Sequence, residues 1–401
     1  MNEKISAFLS ERIAANDFPS AVYLVAEKGE IVYHDALGYA VVEPERLPAR
    51  LETIYDIASL TKPLVTGLLT AQQIEDGDLR LSTSIGDEHI VFGNSDTSRL
   101  TIQDLATHVS GLTAWVPFYL LADGPTPEGL GRIIRGQLIN GRGTTVEYSD
   151  LNFTALSIVT EQGNPETEFD LEVVRGLGLT RTNFNPLLKG IDRRQIAASE
   201  FGNEYERRTC IEKGYLPGGD ASGNERGDGA GEQESASSRP IATVPYGRVS
   251  ARGAFRDRQI WGEVHDGNAY FMGGVAGHAG LFSTAEEVFK IALQFLPEYT
   301  QILKPETCEL FRTNFTKGMN EDRSFAFQLA STEGSTAGAK MSPESFGHNG
   351  FTGTSLWIDP VKDRIFVLLT NRTHNHPLPF VNINSVRRRF HDIAIEELDR
   401  R

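Results

Sequence analysis

One serine–lysine pair raises the question of what chemistry this chain can perform. Lys62 follows Ser59 by three residues in the stretch ASLTKP. Residues three apart share a helix face, so a helix that begins here would bring the Lys62 amine close to the Ser59 hydroxyl. A serine becomes a nucleophile when a base takes its proton, and a desolvated lysine with a lowered pKa can be that base. The spacing predicts a reactive serine, although a helix-capping Ser59 beside a solvated Lys62 would show the same letters.

The surroundings of this pair favour the chemical interpretation. About one S-x-x-K is expected by chance in a chain of this length, and this is the only one present. Apolar residues crowd it on both sides, among them Ile54, Ile57 and Leu64. Burial of that kind is what desolvates an amine.

Tyr148 is a second candidate, in the stretch GTTVEYSDLNFTAL. It stands between a predicted loop and a predicted helix. A tyrosine whose phenolate is stabilised by a nearby ammonium can act as a general base. The alternative is a core tyrosine beside a helix cap at Ser149 or Asp150.

A third candidate lies in SFGHNGFTGTSLWID, a glycine-rich turn that enters a strand. Asn349-Gly350 alone is typical of a tight hairpin turn. In a functional interpretation, the glycines let a substrate approach the strand closely, and an N–H at the strand edge stabilises an oxyanion. His348 would then offer a hydrogen bond or a titrating charge near the substrate.

The elements that must position these residues follow from local patterns. Residues 20–40 and 353–371 each predict a β-hairpin, with turns at Lys28-Gly29 and at residues 360–363. Both ends of the chain show helical periodicity. We therefore expect an α+β fold in which an antiparallel sheet built from both termini is flanked by helices.

The pattern in the middle of the chain predicts helix and loop, with helices near residues 62–75, 101–107 and 152–161. The predicted division gives residues 1–62 and 265–401 to an α/β/α sandwich and residues 63–264 to an inserted, mainly helical region. Within the insertion, residues 217–240 are rich in Gly, Ser and charge and predict a flexible loop. A cleft between the two parts is the expected place for a site.

Composition excludes several classes of protein. The formal net charge of -15 argues against nucleic acid or anionic membrane as a partner, because either needs clustered Lys and Arg. The two cysteines, Cys210 and Cys308, stand alone and indicate neither a zinc site nor a disulfide framework. No apolar run is long enough for a signal peptide or a membrane span, so a cytoplasmic location is expected. Oligomeric state stays open.

Together the three candidates resemble the serine β-lactamase-related superfamily, whose members include penicillin-binding proteins that carry S-x-x-K. The likeness is strongest to the class C-like branch of β-lactamases, esterases and D-amino-acid peptidases. Ser59–Lys62 matches its first motif, Tyr148–Asp150 its tyrosine motif and His348–Gly350 its third motif. Framework phrases at residues 104–112, 176–186 and 264–288 are also similar, and in the last of them Ser283 and Glu286 predict a helix-capping box.

Two departures from the family pattern bear on substrate. Asp150 stands where Asn is common, which changes the charge facing the substrate. His348 and Asn349 stand where lactamases usually carry Lys and Thr. Since a neutral histidine holds a carboxylate less well than a lysine does, ester or amide hydrolysis is expected, with weak β-lactam hydrolysis at best. His108 and His278 are interpreted as structural residues in turns.

The resemblance implies an acyl-enzyme mechanism without a metal or organic cofactor. Ser59 would attack a carbonyl, and Lys62 and Tyr148 would share the proton transfers, with the choice of base left open. The N–H groups of Ser59 and Phe351 would form the oxyanion hole, and the turn with Asp150 would contact a small ester, amide or peptide. A rival hypothesis is a catalytically silent relative that binds cell-wall peptide fragments. A structural or interaction protein is the weaker rival.

Overall fold

The computed structural model describes residues 1–160, 165–217 and 255–401. Within these ranges the chain forms twelve strands, which we number in chain order. They are β1 (Ser20–Glu27), β2 (Glu30–Val41), β3 (Leu47–Pro48), β4 (Tyr55–Asp56), β5 (Asn183–Phe184), β6 (Ala198–Phe201), β7 (Gln259–Trp261), β8 (Leu281–Ser283), β9 (Gln328–Leu329), β10 (Phe346–Asn349), β11 (Ser355–Asp359) and β12 (Arg364–Thr370).

Twelve α-helices accompany them in the same ranges: α1 (Glu3–Ala14), α2 (Leu68–Asp76), α3 (Ile85–Glu88), α4 (Ile102–Ala106), α5 (Phe118–Leu121), α6 (Pro127–Arg135), α7 (Asp150–Thr160), α8 (Pro165–Phe169), α9 (Glu204–Glu212), α10 (Gly267–Phe271), α11 (Ala285–Ala292) and α12 (Asn384–Leu398). Two π-helical segments, Lys62–Gly67 and Asp170–Val174, continue or precede regular helix. None of the helices in the described ranges is long and apolar enough to cross a membrane.

The largest sheet joins the two ends of the chain. Its seven strands run in the order β3-β2-β1-β12-β11-β10-β9, and all its strand pairs are antiparallel. The β1–β2 hairpin closes through Lys28 and Gly29, both with positive φ, as the two-residue turn with the right twist for a hairpin requires. The β11–β12 hairpin turns at residues 360–363. Both predicted hairpins are confirmed.

Helices cover both faces of this sheet, which explains why β1 has no charged side chain from Ala21 to Ala26. Because side chains alternate across a strand, Ala21, Tyr23 and Val25 pack in one cluster with residues of α1 and α12. Val22, Leu24 and Ala26 face the other way, into the main core that includes α2, α4, α7 and α11. Each buried large aliphatic side chain contributes about 1.5–3 kcal/mol. The predicted sheet between helical layers is confirmed.

Smaller elements bring the middle of the chain to the sheet. Strands β4, β8 and β5 form a three-stranded sheet, and β6 pairs with β7. Most of the predicted flexible loop at 217–240 lies outside the described residues, and the proposed division into residues 1–62 with 265–401 and residues 63–264 stays a prediction. Helix α11 is capped by Thr284, whose side chain accepts the Glu287 N–H, so the capping box predicted at Ser283 and Glu286 was wrong and the cap lies one residue later.

Candidate active site

Ser59 lies on a tight turn that leads from β4 into helix. It occupies a 3-10 turn, Ala58–Leu60, and Lys62 opens the π-helical segment that runs into α2. Ala58 has φ +49°, a left-handed conformation that is uncommon for a residue with a side chain. The Asp56 carboxylate steadies this turn by accepting the N–H groups of Ala58 (2.8 Å) and His265 (2.7 Å). Ser59 is therefore presented by a strained turn and does not act as a helix cap.

Lys62 is fully buried directly behind the serine. Its Nζ lies 3.0 Å from Ser59 Oγ, 3.0 Å from the carbonyl oxygen of His278 and 2.8 Å from Asp150 Oδ1. An ammonium has three protons to donate, and these three acceptors lie around it together with the Tyr148 hydroxyl. The arrangement is the one expected for the charged form.

The pKa of Lys62 follows from a competition. Burial alone would lower it, but the charge and hydrogen bond of Asp150, helped by Tyr148, outweigh burial and raise the pKa above its usual value. The sequence-based expectation of a lysine with a lowered pKa is thus corrected. The physical reason is Asp150, which stands where the family pattern has a neutral Asn.

Tyr148 reaches the same point from the loop before α7. The centre of its ring is 5.0 Å from Lys62 Nζ, and its hydroxyl interacts with both Lys62 and Ser59. Burial raises the pKa of Tyr148, while the Lys62 charge opposes that rise. The neighbouring Ser149 accepts the N–H of Leu151 (3.2 Å). The helix start is therefore capped by Ser149, and the Tyr148 hydroxyl also lies beside the serine.

The third motif closes the opposite wall through β10. His348 is buried, and its Nδ1 lies 2.9 Å from the carbonyl oxygen of Asn349, so Nδ1 carries the proton. Burial, with the charges of Lys62 and Arg323, holds the pKa of His348 well below its usual value. The histidine is therefore neutral near pH 7.

Glycine is needed at position 350 because neighbouring atoms approach its backbone closely, and not because the chain makes a tight turn there. Asn349 pairs with Ser355, so the β10–β11 connection spans residues 350–354 and is no two-residue hairpin. A Cβ on Gly350 would lie 2.0 Å from Thr354 Oγ1 and 2.5 Å from the carbonyl oxygen of Ile57. Only glycine lets this loop pack against the backbone that leads to Ser59.

These residues surround a cavity of about 530 Å³, a size suited to a small molecule. Of the eight predicted site residues, seven line it and Lys62 lies beneath Ser59. The seven are Ser59, Tyr148, Asp150, His348, Asn349, Gly350 and Phe351. The structure thus brings together residues separated by nearly 300 positions in sequence.

The cavity has an acidic wall that sequence reasoning missed. Glu206 and Asp266 line it, and burial together with the nearby Asp266 charge raises the pKa of Glu206 to about 7. His265 also lines it, with Nε2 lying 2.8 Å from Glu200 Oε2. Glu206 sits in no motif, whereas His265 and Asp266 lie in a framework phrase, and only the fold places all three here. The framework phrase at residues 264–288 was the one available signal.

One group on this wall has the spacing of a metal site. Ligand atoms of Asp150, Asp266 and His278 lie within 4.8 Å of one another. The Lys62 ammonium already contacts Asp150, and His278 Nε2 lies 3.2 Å from Asp266 Oδ1. The side chains of this group therefore have partners within the protein.

His108 and His278, interpreted as turn residues, both adjoin the site. His108 has φ +59° and is buried, with its ring 4.6 Å from that of Tyr148, centre to centre. His278 provides the carbonyl that accepts from Lys62. Both histidines thus contact the residues around Ser59 from within the protein.

Comparison with known proteins shows the family and the fold. A family model described as Beta-lactamase matches residues 5–387, so the chain belongs to the beta-lactamase family. It is 30% identical over 384 residues to an Escherichia coli (strain K12) protein named "Putative D-alanyl-D-alanine carboxypeptidase", an alignment covering 89% of this chain and 79% of that protein.

Two solved structures show the same fold. EstCE1, described as a hydrolase with promiscuous acyltransferase activity, matches with a TM-score of 0.66 and 20% identity, covering 98% of each chain. A class C β-lactamase matches with a TM-score of 0.66 and 13% identity, covering 99% of this chain and 96% of that one. The fold is that of the serine β-lactamases and transpeptidases, and the resemblance drawn from the motifs is confirmed.

Proposed function

We propose that the protein is a serine hydrolase that cleaves a small ester or amide through an acyl-enzyme on Ser59. The observation that carries the proposal is the 3.0 Å contact between Ser59 Oγ and Lys62 Nζ at the base of the cavity, with Tyr148 beside both. Ser59 Oγ attacks the substrate carbonyl, and its proton passes to the Lys62–Tyr148 pair. That proton then goes to the leaving group, and water releases the acyl group.

Asp150 decides where the pair keeps its remaining proton. Once the Lys62–Tyr148 pair has lost one proton, either a neutral amine with a phenol or an ammonium with a phenolate can result. The carboxylate 2.8 Å from Nζ favours the ammonium. Tyr148 is then the base for acylation, and Lys62 supplies the charge that stabilises its phenolate.

The backbone N–H groups of Ser59 and Phe351 are the proposed oxyanion donors. Both residues line the cavity. The loop after Gly350 is held by hydrogen bonds from Arg387 to the carbonyl oxygens of Gly350 (2.8 Å) and Thr354 (2.9 Å). A preorganised donor of this kind is worth a factor of about 10²–10³ in rate.

The substrate is proposed to be an ester or a D-amino-acid peptide, with poor β-lactam turnover. A neutral His348 lacks the charge with which a lysine would hold a β-lactam carboxylate. The name of the E. coli relative supports a peptide, and the description of EstCE1 supports an ester.

Labelling with a fluorophosphonate probe tests the nucleophile. Intact protein and the Ser331→Ala variant, which removes an exposed serine elsewhere, should be labelled alike, and Ser59→Ala should not be labelled. Digestion and mass spectrometry should place the adduct on Ser59. Labelling that survives in Ser59→Ala would contradict the proposal.

Turnover then separates the substrate classes. p-Nitrophenyl esters, a D-Ala-D-Ala-terminated peptide and nitrocefin are compared under one condition, with Ser59→Ala as the blank. Ester or peptide cleavage well above nitrocefin cleavage supports the proposal. Dominant nitrocefin turnover contradicts it, and penicillin labelling without any turnover would instead favour the silent binding protein.

A further inference from the structure

Arg323 is a buried cation in the wall of the cavity. Its side chain is 6% exposed, and its Cζ lies 5.4 Å from the centre of the Tyr148 ring. The backbone is pinned on both sides, since Arg323 N–H donates to Thr316 Oγ1 (2.8 Å) and its carbonyl oxygen accepts from Phe315 N–H (2.9 Å). The guanidinium is therefore held beside the tyrosine.

The hydrogen bonds of Arg323 leave most of its donors unused. Nη2 lies 2.6 Å from Glu321 Oε1, whereas Nε and Nη1 have no hydrogen-bond partner among the described residues. Buried donors without partners cost about 1–3 kcal/mol each. Hydrogen bonding within the described residues therefore does not account for the position of this guanidinium.

Two other arginines of the cavity differ from it in what their side chains bind, although Arg387 Nε also has no partner among the described residues. Arg387 Nη2 donates to the carbonyl oxygens of Gly350 and Thr354, and its Nη1 donates to Asn384. Arg372 donates to the carbonyl oxygens of Phe351 (2.7 Å) and Val381 (2.7 Å). Their terminal groups hold backbone in place. Arg323 makes no such bond to backbone from its side chain among the described residues.

The charges around Tyr148 explain what Arg323 can do. Lys62 favours the phenolate, and Asp150 opposes it from the same helix start. The imidazoles next to Tyr148 add no charge, because burial keeps the pKa of both His108 and His348 well below the usual value. Arg323 carries a permanent charge, offset in part by Glu321. The titratable and charged groups near the phenol are thus Lys62, Asp150, His108, His348, Arg323 and Glu321.

We propose that Arg323 is a positioning residue that holds Tyr148 in its deprotonated, reactive form during acyl transfer, through its charge and without contacting the substrate. The inference rests on the proposed function, in which Tyr148 takes the proton of Ser59. Arg323 thereby supplies, from the segment between α11 and β9, the positive charge that the neutral His348 does not bring to the third motif.

The dependence of kcat/KM on pH for a neutral p-nitrophenyl ester tests this. The rising limb reports loss of the proton from the Lys62–Tyr148 pair. Arg323→Gln removes a positive charge, so the limb should move to higher pH by about one unit. At pH 7 kcat/KM should fall roughly tenfold and approach the parent value at high pH. Arg323→Lys should restore the position of the limb.

A second variant keeps the test decisive if Arg323→Gln does not fold. Glu321→Gln leaves Arg323 in place and removes the negative charge beside it. It should move the limb in the opposite direction, to lower pH, by roughly half a unit. If the limb in Glu321→Gln stays at the same pH or moves to higher pH, the proposal is overturned.

The remaining outcomes are also distinguishable. A fall in kcat/KM that is equal at every pH would mean that Arg323 is only structural. A loss confined to an ester with a carboxylate in its leaving group, tested beside its carboxamide analogue, would mean that Arg323 binds substrate directly. Either result overturns the inference. If the parent protein itself shows no labelling at Ser59, the proposed function fails before Arg323 is tested.

Discussion

The two sides of the cavity differ in the charge of the side chain that each contributes. On the Lys62 side, a buried cation has an acceptor for each of its three protons, one of them the Asp150 carboxylate. On the His348 side, the imidazole is neutral and Nε2 has no partner among the described residues. Ionic contacts hold the Lys62 side in its geometry, whereas close packing holds the His348 side. We therefore expect charge changes to matter far more beside Ser59 than beside His348.

The largest effect should come from Lys62→Met, which keeps an unbranched side chain up to the Cε position and removes the charged amine. Without the ammonium, Tyr148 loses its stabilising partner and Asp150 is left with an unpaired charge. kcat/KM for a neutral ester should fall by about 10³–10⁴-fold. Lys340→Met, at a half-exposed lysine, is the control. A fall of less than tenfold in Lys62→Met would show that charge beside Ser59 does not matter more than charge beside His348.

Gly350→Ala probes the side that is specified by shape. The added methyl group would overlap Thr354 Oγ1 and the carbonyl oxygen of Ile57. The carbonyl oxygen belongs to the backbone, so it cannot move aside by a side-chain rotation. We expect kcat/KM to fall by about 10²-fold through displacement of the oxyanion donors, with unfolding free energy lower by about 1–3 kcal/mol. Gly124→Ala, where nothing lies within 4 Å of the new Cβ, should show neither change. Unaltered kinetics in Gly350→Ala would argue that the loop does not build the site.

Asp150→Asn should change the pH dependence more than the maximal rate. The Asp150 charge raises the pKa of both Lys62 and Tyr148, so its removal favours every less protonated state of the pair. The rising limb of kcat/KM should move to lower pH by about one unit, and the maximum should change by no more than roughly tenfold. A shift to higher pH would show that Asp150 does not act through its charge.

The smallest effect should follow from His348→Gln. The amide can still donate to the carbonyl oxygen of Asn349, and no charge is lost because His348 is already neutral. kcat/KM should fall by no more than about fivefold, with the same pH profile between pH 5.5 and 8. A new or missing limb in this range would show that His348 titrates during catalysis, which would contradict its assigned state.

Local patterns predicted the two hairpins and several helices, and they singled out the candidate reacting groups. The two hairpins have turn residues whose conformations are almost dictated, such as Lys28-Gly29, and the apolar periodicity marked α1, α2, α7 and α12. The S-x-x-K pair and Tyr148 stood out because few residue types can activate a serine. Their meeting with His348 in one cavity followed from the family resemblance and not from spacing.

The rest depended on tertiary contacts that no local pattern encodes. The direction of the Lys62 pKa shift is set by Asp150, which lies 88 positions away in sequence. Arg323 and Glu206 belong to segments without a motif, and they line the cavity only because of the tertiary fold. The cap of α11 was predicted one residue too early because Ser283 and Thr284 are both good capping residues. Ser283 is the last residue of β8, so Thr284 caps the helix.

The charge of Lys62 is the claim on which the whole account depends. NMR of protein labelled with ¹⁵N and ¹³C in its lysine side chains reports the protonation of each Nζ, and Lys62→Met identifies the signal that belongs to Lys62. The expected result is an ammonium that persists from pH 6 to pH 9, and that loses its proton at lower pH in Asp150→Asn than in the parent protein. A Lys62 signal that already shows a neutral amine at pH 7 would contradict the account and make the lysine, not Tyr148, the base.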